Sequence, residues 1–224
     1  MGFASTLLKL LGLDLDFGVD LENESISRIT DRLYVGSRPE PTDLDRLKRE
    51  GITHVVSCLE AHELESVAFL SSELDTLAVP LRDGMDQDIA ASFPSFFDFV
   101  SRVEGKVLVH CQAGVSRSAT LATAWLMRSR QKRFFEAFQQ VRNQRPGVLP
   151  NIGFASQLQH LEHALVPEQP GPSSLARYLR EICRAPVETP VLHEALVDNN
   201  YDAPRALRAI FGGEIPRVVQ GARF

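Results

Sequence analysis

Between Lys106 and Ala119 the chain reads KVLVHCQAGVSRSA, and the residue types gathered there can do chemistry together. Val107, Leu108 and Val109 form a short apolar run suited to a buried strand, and a helix is predicted to begin near Ser116. The loop between them carries Cys111 at one end, Arg117 at the other and Gly114 within. A strand that turns tightly into a helix aims several backbone N–H groups into one small concavity, and the positive helix end adds to their field. Such a cup suits a phosphate or sulfate anion. Its predicted donors are the N–H groups of Gln112, Ala113, Gly114, Val115, Ser116 and Arg117. The planar guanidinium of Arg117 can close the cup with two parallel hydrogen bonds. Cys111 would lie at its floor, where amides and helix dipole favour a thiolate. The predicted chemistry is attack of sulfur on the phosphorus of a bound phosphoryl group.

The segment HCQAGVSRS resembles the H-C-x5-R-S/T signature of the cysteine-dependent protein phosphatases, and the overlapping AGVSRSA, which runs on to Ala119, resembles the dual-specificity branch. The likeness covers about residues 26–165 and includes IxxxLYVG ending at Gly36, then GITHVV, and Pro150-Asn151-Ile-Gly-Phe154, which is similar to a P-N-x-G-F segment. It implies a protein tyrosine phosphatase-like α/β fold, with a mixed, mostly parallel sheet of about five strands flanked by helices. It also implies a cysteinyl-phosphate intermediate on Cys111, with Arg117 binding the phosphoryl oxygens and Ser118 easing departure of the thiolate. His110 would hold the loop and Asn151 brace it, and neither a metal nor another cofactor is called for. The family places a general acid just after the third strand. Asp83, 28 positions before Cys111 and beside Gly84, fits best, with Asp86 and Asp88 as alternatives. Asp88 reads equally well as a helix cap. Cys58, at the end of the GITHVVSC strand, is either a redox partner of Cys111 or a small buried apolar residue.

Lipid and inositol phosphatases of this superfamily tend to carry extra lysines in the loop. Here Gln112, Ala113 and Val115 are uncharged, which favours a phosphoprotein substrate bearing phosphotyrosine, phosphoserine or phosphothreonine. The rival readings are a phosphoinositide or other small-phosphoester phosphatase, and a phospho-binding module or scaffold.

Several elements must position these groups. Ile29–Gly36 reads as a first strand, Thr42–Arg49 as a capped helix, Ile52–Leu59 as a buried strand and Leu77–Leu81 as a third. Phe93, Phe96, Phe97, Val100 and Val103 mark a core-facing helix, as do Phe134, Phe135, Phe138 and Val141. Ser118–Arg130 is predicted to be a mostly buried central helix. Residues 166–172 form a Pro/Gly linker by composition. Residues 173–224 read as a helical extension; its Glu194–Ile210 part faintly resembles a ubiquitin-associated module, but a helical tail docked on the rest of the chain is the favoured reading. Residues 1–25 form an amino-terminal extension in which Leu7, Leu8, Leu11 and Leu15 share a helical face. Met1-Gly2 with Thr6 formally fits a myristoylation pattern, which alone would give no stable anchor.

Composition narrows the setting. A chain of 224 residues with 44% apolar content can bury a real core. Three cysteines without metal-ligand spacing point to a reducing, cytoplasmic compartment. The net charge of −5 argues against nucleic acid. It also conceals an asymmetry: Gly105–Pro150 holds eight basic residues and one acid, Glu136, which would favour approach of a phosphorylated substrate.

Overall fold

The computed structural model describes residues 25–167, 170–216 and 219, so the amino-terminal helix and the myristoylation pattern expected before Ser25 lie outside it. Among the described residues, five strands make one sheet: β1 (Ile26–Arg28), β2 (Leu33–Gly36), β3 (Ile52–Ser57), β4 (Asp75–Ala78) and β5 (Lys106–His110), in the order β1-β2-β5-β3-β4. β1 and β2 pair antiparallel, while β2, β3 and β4 join the parallel part through β5 and β3. Parallel neighbours need long crossovers, and the crossover segments cover both faces of the sheet.

The period-two alternation of β3 and β5 divides the apolar residues between those faces. Val55 and Leu108 join Leu47, Leu59, Val67 and Leu70 under α1 (Leu44–Arg49) and a 3-10 stretch, Ala61–Ser72. Val56, Val107 and Val109 face the larger core, built by α2 (Phe93–Arg102), α3 (Arg117–Arg130), α4 (Phe134–Gln144) and α5 (Ile152–Leu165). β5 is the central strand, and every residue of α3 from Arg117 to Ala124 is buried. The loop joining them therefore sits beyond the carboxyl ends of the parallel strands, where open α/β sheets form crevices.

Element boundaries differ from the sequence expectation where local hydrogen bonding wins. Residues 29–32 reverse the chain instead of extending it: Ile29 N–H donates to the Leu33 carbonyl at 2.8 Å, and Leu33 N–H to Thr30 Oγ1 at 3.0 Å. The helix expected from Thr42 begins as a 3-10 turn, Pro41–Asp43, with Glu40 N–H donating to Asp43 Oδ2 at 2.9 Å. β4 starts earlier than expected, at Asp75. Beyond it, Val79 and Leu81 continue the pairing through N–H bonds to Ser57 and Leu59 at 2.9 and 2.8 Å. That continuation delivers Asp83 to the crevice.

The carboxy-terminal helices are α6 (Ser174–Arg177), which runs on into a π-helical turn, Tyr178–Ile182, then α7 (Thr189–Asp198) and α8 (Ala203–Ile210). Their Leu175, Tyr178, Leu179, Leu192, Leu196 and Leu207 share one apolar cluster with Phe134, Phe138 and Phe154. Polar contacts fix them to α5: Leu175 N–H to Gln159 Oε1 at 2.8 Å and Ala203 N–H to Ser156 Oγ at 2.9 Å. Among the described residues, no helix is long and apolar enough to cross a membrane.

Candidate active site

The loop after β5 is defined by where its carbonyls go. Gln112 C=O accepts from Arg38 N–H at 3.2 Å, Val115 C=O from Leu149 N–H at 2.9 Å, and Ser116 C=O from Thr120 N–H at 2.8 Å. Ala113 and Gly114 carbonyls accept from Arg145, through Nη2 at 3.3 Å and Nε at 2.8 Å. Five consecutive carbonyls are thus held by donors outside the loop. In a trans peptide the N–H points opposite its carbonyl, so the amides of residues 113–117 turn to the other side together. Gly114 makes the bend possible: its φ is +69°, and a Cβ there would lie 2.5 Å from the Gly36 carbonyl carbon. Only glycine suits both demands.

Cys111 and Arg117 are buried at the two ends of this loop. Cys111 Sγ lies 3.3 Å from Ser118 Oγ. Arg117 opens α3, its side chain 4% exposed, with Nη1 donating to the Leu81 carbonyl at 3.0 Å and lying 4.0 Å from Glu63 Oε2. Its Nε faces Asp83 Oδ2 at 3.6 Å, beyond hydrogen-bond length, and both atoms are buried without a hydrogen-bond partner.

Asp83 is held more firmly than an acid on a freely moving loop would be. Its Oδ1 accepts from Ser116 Oγ at 2.9 Å and from Asn151 Nδ2 at 2.8 Å. Burial pushes the carboxyl above its usual range, opposed by those two hydrogen bonds and by Arg117. Asn151 does three jobs: its Oδ1 caps α5 by accepting from Phe154 N–H at 3.0 Å, its N–H donates to Ser116 Oγ at 3.2 Å, and its amide reaches Asp83. The alternatives for the acid face elsewhere. Asp86 is exposed in a 2.7 Å pair with Arg82, which holds its carboxyl below the usual range. Asp88 Oδ1 accepts from Ala91 N–H at 3.1 Å, the capping geometry that the sequence suggested.

His110 is fully buried, and its Nε2 shares a hydrogen bond with Ser57 Oγ at 2.8 Å. Burial takes its pKa down to about 4, with Arg38 and Arg117 adding repulsion and the Cys111 backbone opposing them. It is therefore neutral near pH 7. Cys58 follows β3, with its N–H donating to the His110 carbonyl at 2.8 Å, and its thiol is free and buried. Burial and the nearby Cys111 sulfur raise its pKa well above the ordinary value.

Sequence reasoning missed Arg145 and Glu63. Arg145 reads as a helix-stop residue before Pro146-Gly147, yet its guanidinium turns inward onto the loop and also donates to Ser27 Oγ at 3.1 Å. Glu63 is one acid among many until the 3-10 stretch brings it within 4.0 Å of Arg117. Other members of the basic block are engaged elsewhere, Arg133 with Glu162 at 3.0 Å, Lys132 with Gln140 at 2.9 Å and Arg128 over the Phe97 ring at 5.0 Å. The block is in large part structural.

Residues 33–164 match the family model "Dual specificity phosphatase, catalytic domain". The chain belongs to this family. It is 36% identical over 143 residues to rat dual specificity protein phosphatase 5, a match covering 62% of this chain and 36% of the rat protein. A mouse relative, dual specificity protein phosphatase 19, is 36% identical over 151 residues, covering 66% of this chain and 63% of its own. The chain thus spans about a third of the rat relative's length and somewhat under two thirds of the mouse one. Among solved structures, human DUSP28 superposes with a TM-score of 0.57 at 33% identity, covering 63% of this chain and 95% of that one. Human tyrosine phosphatase-like serine/threonine/tyrosine-interacting protein gives 0.59 at 29% identity, covering 62% and 96%.

Proposed function

We propose that this chain hydrolyses phosphomonoesters on proteins, at phosphotyrosine, phosphoserine or phosphothreonine, through a cysteinyl-phosphate on Cys111. The observation that carries this reading is the row of five outward-held carbonyls with a cysteine before it and a buried arginine after it. A set of amides oriented in advance needs no rearrangement as charge develops on a transferring phosphoryl group. Cys111 sulfur attacks phosphorus in line as the phosphorus–oxygen ester bond breaks. The leaving oxygen takes a proton from Asp83. Water then attacks the thiophosphoryl phosphorus and returns a proton to Asp83, the sulfur–phosphorus bond breaks, and Ser118 donates to the departing thiolate. Arg117 binds two phosphoryl oxygens throughout. Asp83 is favoured over Asp86 because burial keeps its proton at higher pH, whereas the Arg82 pair strips the proton of Asp86 early.

The uncharged Gln112, Ala113 and Val115 support a protein phosphoester over a polyphosphorylated lipid headgroup. A cytoplasmic setting fits the three free, buried thiols. A panel of phosphopeptides and phosphoinositides tests the whole reading. Wild type should turn over the peptides, and Cys111→Ser should lose turnover while retaining phosphopeptide binding. Binding without turnover by wild type would make the chain a phospho-binding module.

A further inference from the structure

One side chain of the carboxy-terminal extension, Tyr178, is linked by hydrogen bonds to the loop. Tyr178 is fully buried between Phe134 and Phe138, at ring-centroid distances of 5.4 and 5.0 Å. Its Oη donates to the Pro150 carbonyl at 2.5 Å. That carbonyl belongs to the same peptide plane as the Asn151 N–H, which donates on the opposite side to Ser116 Oγ at 3.2 Å. Ser116 Oγ in turn donates to Asp83 Oδ1 at 2.9 Å. Every link runs in one direction: phenol to carbonyl, amide to hydroxyl, hydroxyl to carboxylate. Hydrogen bonds aligned in this way polarise and strengthen one another in a low-dielectric interior. Each donation also lowers the free energy of the charged carboxylate relative to the acid.

From this relay we infer that Tyr178 is a positioning residue for the Asp83 carboxyl, so the helix that carries it belongs to the catalytic unit and is not a separate module. The inference rests on the reading of Asp83 as the proton donor. The phenol is suited to its role because burial pushes its pKa well above the usual value, keeping the O–H available as a donor. Burial also pushes the thiol of Cys183, a hydrogen-bonding neighbour of the same phenol, up to about 12, so it stays a neutral thiol. Loss of the phenol would leave the Pro150–Asn151 peptide free to tilt and would weaken the last donation to Asp83.

The test is the pH profile of kcat/KM for an aryl phosphate with a poor leaving group, measured on the full chain. Tyr178→Phe keeps the aromatic packing and removes the first donor. It should move the basic limb to higher pH, because the Asp83 carboxylate loses support, and should lower the plateau about three- to tenfold, the effect of one hydrogen bond. Incorporating 3-fluorotyrosine at position 178 makes the donor stronger and should move the limb the other way. An unmoved limb in both proteins overturns the inference, even if Tyr178→Phe melts earlier. If the phenylalanine variant does not fold, the fluorotyrosine protein decides alone. Asp83→Asn separates the two readings: if it retains the wild-type rate, the proton-donor assignment fails. If it loses rate while the Tyr178 proteins keep the wild-type limb, only the positioning role fails.

Discussion

Arg145 donates through Nε to the Gly114 carbonyl at 2.8 Å, across 31 positions of sequence. With Nη2 on the Ala113 carbonyl at 3.3 Å and Nη1 on Ser27 Oγ at 3.1 Å, one guanidinium fixes two adjacent peptide planes of the loop and ties them to β1. Removing it would leave buried carbonyls unsatisfied and free those planes to turn, which would point amides away from the concavity they face. Arg145→Ala should lower kcat/KM about 10–100-fold, the equivalent of the ~1–3 kcal/mol cost of leaving a buried group unsatisfied, and lower the melting temperature as well. Arg145→Lys should recover little, since an ammonium cannot reproduce the planar fork. Steady-state kinetics with thermal denaturation measures both.

Asp83→Asn probes the acid directly. Turnover of phenyl phosphate should fall about 10²–10⁴-fold, as for loss of a general acid. The loss should be much smaller for p-nitrophenyl phosphate, whose leaving group needs little protonation. Equal losses on both substrates would assign Asp83 to loop structure and not to proton transfer.

Gly114→Ala imposes two conflicts at one position, the φ of +69° and a Cβ at 2.5 Å from backbone. Neither can be relieved by a flexible side chain moving aside. The variant should lose activity and at least about 1–3 kcal/mol of stability, as for a forced strained conformation. Chemical denaturation compared with wild type gives the number.

His110 makes stability depend on pH. Its folded pKa of about 4 lies below the ordinary 6.5. Between those values the unfolded chain binds the proton and the native state does not, so stability rises from pH 4 to pH 6.5 and levels off above. The span corresponds to on the order of 3 kcal/mol. Asp83, whose carboxyl is raised, works in the opposite sense: its contribution is present at low pH and is lost as pH rises through its folded pKa. The difference between wild type and His110→Asn isolates the histidine contribution. That difference should grow in favour of wild type as pH rises across the window.

Much of this site was legible because its chemistry is local. HCQAGVSRS places Cys111, the Gly114 bend and Arg117 within one loop, and the apolar run before it reads as a short strand. Asp83 was placed by its order after a strand, which the Val79 and Leu81 pairing then carried to the crevice. Arg145, Glu63 and Tyr178 were not legible, because each acts through a tertiary contact made 28–54 positions away in sequence. A long polar side chain that turns inward leaves no periodic trace, and a Tyr on a short amphipathic segment reads as ordinary core. The helical extension was read correctly as helical, but its attachment depends on Gln159 and Ser156, polar residues whose partners only the fold reveals.

That attachment has a measurable consequence. Leu207 of α8 is fully buried in the same apolar cluster as Phe154 and Phe138 of the sheet-covering helices. Were α6–α8 an independent module on a linker, truncating Leu207 would melt only the module and leave the sheet domain unfolding at its own temperature. A shared core couples them. Leu207→Ala removes buried methyl groups and leaves a cavity, a change that costs about 2–5 kcal/mol. The full chain should therefore unfold in a single transition shifted to lower temperature, with loss of phosphatase activity coincident with loss of near-ultraviolet signal from Trp125, which packs on Phe97 at 6.2 Å on the sheet side. Two separated transitions, with the Trp125 signal and the activity untouched by the first, would show that the helices fold apart from the catalytic domain, and would remove the structural basis for a role of Tyr178 at the loop.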